Sequence, residues 1–170
     1  MIRIYKAFFA ALLLAVFGSL YAADSMDADD FVDEASAKGI AEIESGKLAL
    51  QKSTSPDIKA FAQQMIDEHT AANQKLAQIA TTKQLEVATE AELMSKAKKW
   101  ILQLRDGESF DEAYANNQVA SHENTVELYR KAAQQVEDAD LKAFASKSLP
   151  TLEQHWEKAK QLAATHKKHD

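Results

Sequence analysis

The chain has 170 residues, 46% hydrophobic and 27% charged, with 20 basic and 26 acidic side chains and a net charge of −6. That length and apolar content suit one domain with a buried core and exclude a disordered chain, while the acidic balance, with lysines spread rather than clustered, argues against nucleic acid as a partner. Cysteine is absent, which excludes disulfides, thiolate metal sites and a lipid-anchored cysteine.

Residues 1–22 read as a cleavable signal peptide. Arg3 and Lys6 supply the positive start, and residues 7–20 form an apolar run shorter than the ~20 residues of a membrane span. Ser19-Leu20-Tyr21-Ala22 then leads to small residues suited to cleavage after Ala22 or Ala23. The expected location is therefore periplasmic or secreted, in a Gram-negative-type envelope, with no stable membrane insertion after cleavage. Losing Arg3 and Lys6 leaves 18 basic against 26 acidic side chains, a charge of −8.

With four glycines and two prolines in the chain, and Ala, Leu, Lys, Gln and Glu abundant, the rest reads as all-α. A first helix is expected from about Asp29 to Gln51. Ser55 as N-cap and Pro56 at the first helical position open a second, running to about Thr81. The long link that follows holds an amphipathic helix of its own, with Thr89 and Glu92 at capping-box spacing and Leu93, Ala97, Trp100, Ile101 and Leu104 on one stripe. Trp100 is expected to anchor that helix to the bundle. Gly107 should end it, and Ser109 with Glu112 should cap a third long helix reaching about Val136. Asp138 or Asp140 caps the fourth, where Pro150 predicts a kink or restart. Residues 166–170, including His166 and His169, are expected to fray. Short links within the first and second helix pairs make two antiparallel hairpins over residues 28–165. The long crossover between them allows the second and third long helices to run parallel, as in ferritin-like four-helix bundles.

Advancing 100° per residue places one chemically notable side chain at the centre of each apolar face. Glu42 lies among Phe31, Ala35, Gly39, Ile43, Gly46 and Ala49, whereas Glu44 turns some 160° away. His69 lies among Ile58, Phe61, Ala62, Met65, Ala72, Leu76 and Ile79. His122 shares its face with Ala115, Val119, Val126, Tyr129 and Ala133, and His155 sits with Phe144, Leu152, Ala159 and Leu162. An internal repeat reinforces the pattern. Asp57-Ile-Lys-Ala-Phe-Ala62 recurs as Asp140-Leu-Lys-Ala-Phe-Ala145, and with three extra residues near Pro150, Asp67-Glu-His69 aligns with Glu153-Gln-His155. An offset of 80 pairs Glu42 with His122, so two related hairpins would bring all four residues to one depth.

The segments Ala41-Glu-Ile-Glu-Ser-Gly-Lys-Leu-Ala49, Ser55-Pro-Asp-Ile-Lys-Ala-Phe-Ala62, Asp67-Glu-His-Thr70, Tyr114 and Gln118 with His122, and Leu149-Pro-Thr-Leu-Glu-Gln-His155 resemble those of a family of exported bacterial ferritin-like proteins of unknown function, sometimes described as predicted outer-membrane proteins. The resemblance spans about residues 28–165. It implies a fold and no established activity.

Three imidazoles and a carboxylate are a donor set for zinc, copper, iron, nickel or manganese. Glu42, His69, His122 and His155 are therefore the expected ligands of one metal ion, with Gln118 and Tyr114, one and two turns before His122, as candidates to orient the rings. Ile66 and Leu152 stand three residues before His69 and His155, so the Glu-x-x-His pattern of dinuclear carboxylate oxidases is missing there. No serine or cysteine nucleophile with a supporting base and no glycine-rich phosphate loop is visible, which favours a binding protein over an enzyme. The protein would then serve metal sequestration, delivery or protection against redox stress. The competing reading is an envelope stress or protein-interaction module whose histidines hydrogen-bond among themselves, for structure or for sensing pH near 6.

Overall fold

The computed structural model describes residues 25–91 and 93–167, in five helices: α1 Ala28–Lys52, α2 Pro56–Lys83, α3 Leu93–Gln103, α4 Gly107–Gln135 and α5 Ala139–Thr165. The signal-peptide segment lies outside the described residues, as does Glu92 of the expected capping box. Among the described residues the strand-like pairing is a single bridge, Met26 with Val136.

Local chemistry sets most of the helix ends. Pro56 follows Ser55 at the first turn of α2, where its missing amide donor is harmless. Of the two candidate caps for α5, Asp138 is the one used: its carboxylate accepts from the amides of Asp140 and Leu141, both at 3.0 Å. Lys83 then reaches from the end of α2 to Asp138 and Asp140 at 2.7 and 2.8 Å, tying that end to the start of α5.

Four expectations need correction. The third long helix starts at Gly107 behind Asp106, not at a box formed by Ser109 and Glu112. Gly107 does not close the crossover helix; it sits at φ +55°, a left-handed conformation that glycine adopts without a Cβ penalty, so the chain can turn directly into α4. The fourth long helix does not restart at Pro150 but runs through it as one element. The carbonyl that proline deprives of a donor belongs to Ser146, which is exposed, so water can replace the missing bond. Finally, Trp100 does not anchor α3: Trp100, Ile101 and Leu104 are 66%, 53% and 72% exposed, and among the described side chains of α3 it is Leu102 that is buried. Periodicity defines an apolar face without saying which face docks. Here polar contacts with α1 decide, through Lys99 to Glu44 at 2.9 Å and Lys52 to the carbonyls of Gln103 and Arg105 at 2.6 and 2.7 Å.

The long helices form two hairpins, α1 with α2 and α4 with α5. Phe31 meets Tyr129 and Ser45 meets Gln118, so α1 and α4 are antiparallel. Lys83 meets Asp140 and His155 meets Glu68, so α2 and α5 are antiparallel too. It follows that α2 and α4 run in the same direction, as the long link permits. The core is divided along this axis. One apolar cluster contains Phe31, Val32, Leu76, Val126, Leu141 and Phe144; the other contains Leu48, Ile58, Phe61, Met65, Phe110 and Ala159. On each long helix, the residues between these clusters include a buried polar side chain: Glu42, His69, His122 or His155.

The α1–α2 contact depends on a close approach at Gly46. A Cβ there would lie 2.9 Å from the Ala62 carbonyl oxygen and 2.9 Å from Ile66 Cγ1, and the first of these is backbone that cannot step aside. Gly46→Ala should therefore lower the unfolding free energy by ~1–3 kcal/mol despite the better helix propensity of alanine, measured by urea denaturation.

Candidate metal centre

The three histidine rings form a nearly equilateral triangle, with centroids 5.6 Å apart for His69–His122, 5.6 Å for His69–His155 and 5.4 Å for His122–His155. One nitrogen from each ring lies within 4.8 Å of one from each of the others, and all three residues are buried. The rings come from α2, α4 and α5, and α1 contributes Glu42, which is 2% exposed. Glu44, by contrast, faces α3 and pairs with Lys99.

Hydrogen bonds determine which nitrogen two of the rings present. His122 Nδ1 is 3.0 Å from the Gln118 carbonyl oxygen; a carbonyl can only accept, so Nδ1 carries the proton and the neutral ring keeps its lone pair on Nε2. His155 Nε2 is 2.8 Å from Glu68 Oε2. Burial opposes the charge on Glu68, but bonds from Gln64 and His155 and the nearby Lys158 outweigh it and hold that carboxyl below its ordinary range. A carboxylate accepts, so His155 donates from Nε2 and frees Nδ1. His122 Nε2, His155 Nδ1 and His69 Nε2 are all buried without a hydrogen-bond partner.

Electrostatics keeps this set in its metal-binding form. Burial removes His69 from water and lowers its pKa to about 4, with Glu42 pulling the other way. Burial and the neighbouring His122 likewise lower His155, against the pull of Glu68. Burial works against ionisation of Glu42 as well, yet His122, His69 and bonds from Ser121 and Gln118 prevail and keep it below the ordinary carboxyl range. Ser121 donates to Glu42 Oε1, leaving Oε2 buried and unpartnered. Near neutral pH, then, the anionic Glu42 and the neutral imidazoles of His69 and His155 share one layer.

Besides its bond to Glu42, Gln118 contributes by two further routes. Its backbone carbonyl orients His122, and its side-chain amide donates to Ser45 at 3.2 Å. Tyr114 is fully buried, but its hydroxyl has no hydrogen-bond partner, and its ring stacks on Phe110 at 6.0 Å and meets Phe61 edge-on at 6.4 Å. Burial, then Glu42, raises its pKa well above the ordinary value, so it stays a neutral phenol. Glu68, Ser121 and Ser45 were not anticipated. Glu68 stood beside His69 in the repeated motif, but a single helix projection does not reveal that it would cross to α5.

A family model for a domain of unknown function, DUF4142, matches residues 19–162. The chain belongs to this family. Among solved structures, a conserved hypothetical protein, rv2844, from Mycobacterium tuberculosis is similar with a TM-score of 0.63 at 14% identity, covering 84% of this chain and 94% of that one. That likeness speaks for the fold alone. No curated protein matches the chain. Within this DUF4142 domain, His69, His122 and His155 come together at ligand spacing, whereas Glu42 is buried beside His122 and His69 but does not belong to the group whose ligand atoms lie within 4.8 Å of one another.

The layer leaves five buried polar atoms bare: Glu42 Oε2, His69 Nε2, Gln118 Oε1, His122 Nε2 and His155 Nδ1. At ~1–3 kcal/mol each, their total would rival the ~5–15 kcal/mol stability of a whole domain. They therefore require partners, a metal ion or ordered water.

The lowered histidine pKa values set a pH dependence for the metal-free protein. A group whose folded pKa lies below its unfolded value binds fewer protons when folded, so its stabilisation is complete above pH 6.5 and is lost as pH falls toward 4. For His69 the loss is on the order of 3 kcal/mol. The contributions of Glu42 and Glu68 disappear at lower pH, below their unfolded value of 4.5. The melting temperature of chelator-treated protein should fall steadily from pH 7 to pH 5, and His69→Gln should flatten that slope. An identical slope in the variant would exclude His69 as its source.

Proposed function

We propose that this protein is a ferritin-like, periplasmic transition-metal-binding protein that holds one ion in its bundle core for sequestration, delivery or protection against redox stress. The observation that carries the reading is the convergence of three buried imidazole nitrogens, free of hydrogen bonds, from three helices. Their ligands would be His69 Nε2, His122 Nε2 and His155 Nδ1, with Glu42 Oε2 completing the set. Metal–nitrogen bonds of about 2.0–2.1 Å place tetrahedral ligands about 3.4 Å apart, so the rings would draw inward on binding.

The surroundings fit that role. The Gln118 carbonyl and the Glu68 carboxylate each take the proton-bearing nitrogen of a ligand ring, fixing its tautomer and raising its basicity, as outer partners do in histidine metal sites. Imidazole and carboxylate donors suit zinc, copper, iron, nickel or manganese. A single carboxylate among three histidines suits one ion better than a carboxylate-bridged pair. The paired hairpins joined by a long crossover support the ferritin-like assignment, and the charged start and apolar run of residues 1–22 support export.

A second reading, an envelope stress or interaction module with structural histidines, draws on the exposed Trp100, Ile101 and Leu104 of α3. Metal content separates the two. Protein isolated from periplasm without a histidine tag should contain close to one equivalent of a single element by elemental mass spectrometry. The variant His69→Ala/His122→Ala/His155→Ala should contain none. Glu68→Gln should retain the site but bind ~10–100-fold more weakly in competition with a chromophoric chelator. Absence of metal after purification and after exposure to iron, copper, zinc, nickel and manganese would overturn the metal reading and leave the module.

A further inference from the structure

The two seams that join the hairpins differ. Along α1–α4, the seam is closed by Phe31 against Tyr129 and by the polar contacts around Glu42. Along α2–α5, small residues face one another, Ala72 on one side and Ala143 and Ser148 on the other, and a solvent-open cleft of about 600 Å³ remains. This explains why Ala72 and Ile79, predicted in the apolar stripe of α2, are only half-buried. The cleft volume falls within the ~300–1,000 Å³ range of small-molecule sites.

Its chemistry is directional. Tyr129, Phe144, Leu152 and Ile79 supply an apolar wall, and His69 and His155 line one end. Four charged side chains also line it: Asp140 is paired with Lys83 at 2.8 Å, and Glu68, at the histidine end, accepts from the neutral His155 and keeps its negative charge there. The remaining two are Lys75 on α2 and Lys147 on α5, and among the described residues neither has an ion-pair partner. An acidic protein thus has, on opposite lips of an apolar cleft, two cations without an ion-pair partner among the described residues. By the helical rise, Lys75 lies about 9 Å along α2 from His69 and Lys147 about 12 Å along α5 from His155. Both cations therefore sit partway along the cleft, with apolar wall on either side of them.

We propose that the α2–α5 cleft binds a small amphipathic organic anion, whose charged group pairs with Lys75 and Lys147 and whose hydrocarbon body lies on Phe144, Ile79, Tyr129 and Leu152. Paired lysines select the sign of the charge, and the apolar wall rewards chain length. The assignment is independent of metal binding, because neither lysine nor the apolar wall belongs to the histidine layer. A ligand filling this cleft would also cover the solvent-facing side of His69 and His155.

Isothermal titration calorimetry on the chelator-treated full mature chain tests this, with hexanoate, octanoate and decanoate below their micellar concentrations and decyltrimethylammonium as the charge-reversed control. Decanoate should bind at one site, with affinity rising about three- to fourfold per added methylene across the series. Decyltrimethylammonium should bind at least tenfold more weakly than decanoate. Lys75→Glu/Lys147→Glu, two exposed positions that should leave the melting temperature unchanged, should weaken decanoate binding at least tenfold, while Ala143→Phe should obstruct the cleft directly. Equal affinity for the cationic control, affinity independent of chain length, or decanoate binding undiminished in the double lysine variant would each overturn the proposal. Metal content measured on each preparation before chelator treatment reports on the histidine site alone, so failure of either reading leaves the other standing.

Discussion

A buried polar layer held between two apolar clusters is the constraint on which this structure depends. Imidazoles and a carboxylate lose hydration when they enter a core and must recover it from fixed partners. Here the apolar clusters contribute the driving force for burial, and the layer demands register. A helix slid by one turn would carry its polar residue ~5 Å into a hydrocarbon environment. The alignment of Glu42, His69, His122 and His155 at one depth therefore specifies how the four long helices are set against one another, in addition to any ligand they hold.

The ends of the helices and the close packing of α1 on α2 serve that alignment. Lys83 clamps the start of α5 through Asp138 and Asp140. At the other end of the same helix pair, His166 reaches Asp57 at 3.0 Å, so the first residue beyond α5 is tethered to the start of α2. The α2–α5 pair is thus pinned at both ends while its middle stays open as a cleft. Gly46 allows α1 to approach the Ala62 carbonyl, and Gly39 backs onto Asn73, whose amide donates to the Ser36 carbonyl at 3.1 Å. These contacts leave little freedom for α1 to slide.

The same arrangement separates two environments within a short distance. On the α1 side, Glu42, Ser121, Ser45 and Gln118 form a closed hydrogen-bonding group. On the α2–α5 side, His69 and His155 meet a solvent-open cleft, with the Glu68 carboxylate about two-fifths exposed at its edge. A ligand or proton exchanging with the layer would enter from the cleft, whereas the α1 side provides a fixed negative charge. Asymmetry of this kind does not follow from the internal repeat, which pairs Glu42 with His122 and treats the hairpins as equivalent.

The sequence by itself determined the helical class, the five elements to within a few residues, and the four inward side chains. Those properties depend on local propensity and on a 3.6-residue period, both of which are written along one strand of sequence. It also contained the repeat that brings positions 69 and 155 to the same depth. The tertiary structure decided what depends on two helices at once. It assigned Glu68 to His155, gave Gln118 its role through a backbone carbonyl, left Tyr114 without a hydrogen bond, and turned Trp100 outward because polar contacts with α1 fixed the docking face of α3. It also opened one seam between the hairpins and closed the other. Periodicity tells a helix which face is apolar; only the partner helix determines how completely that face is covered and which polar atom meets which.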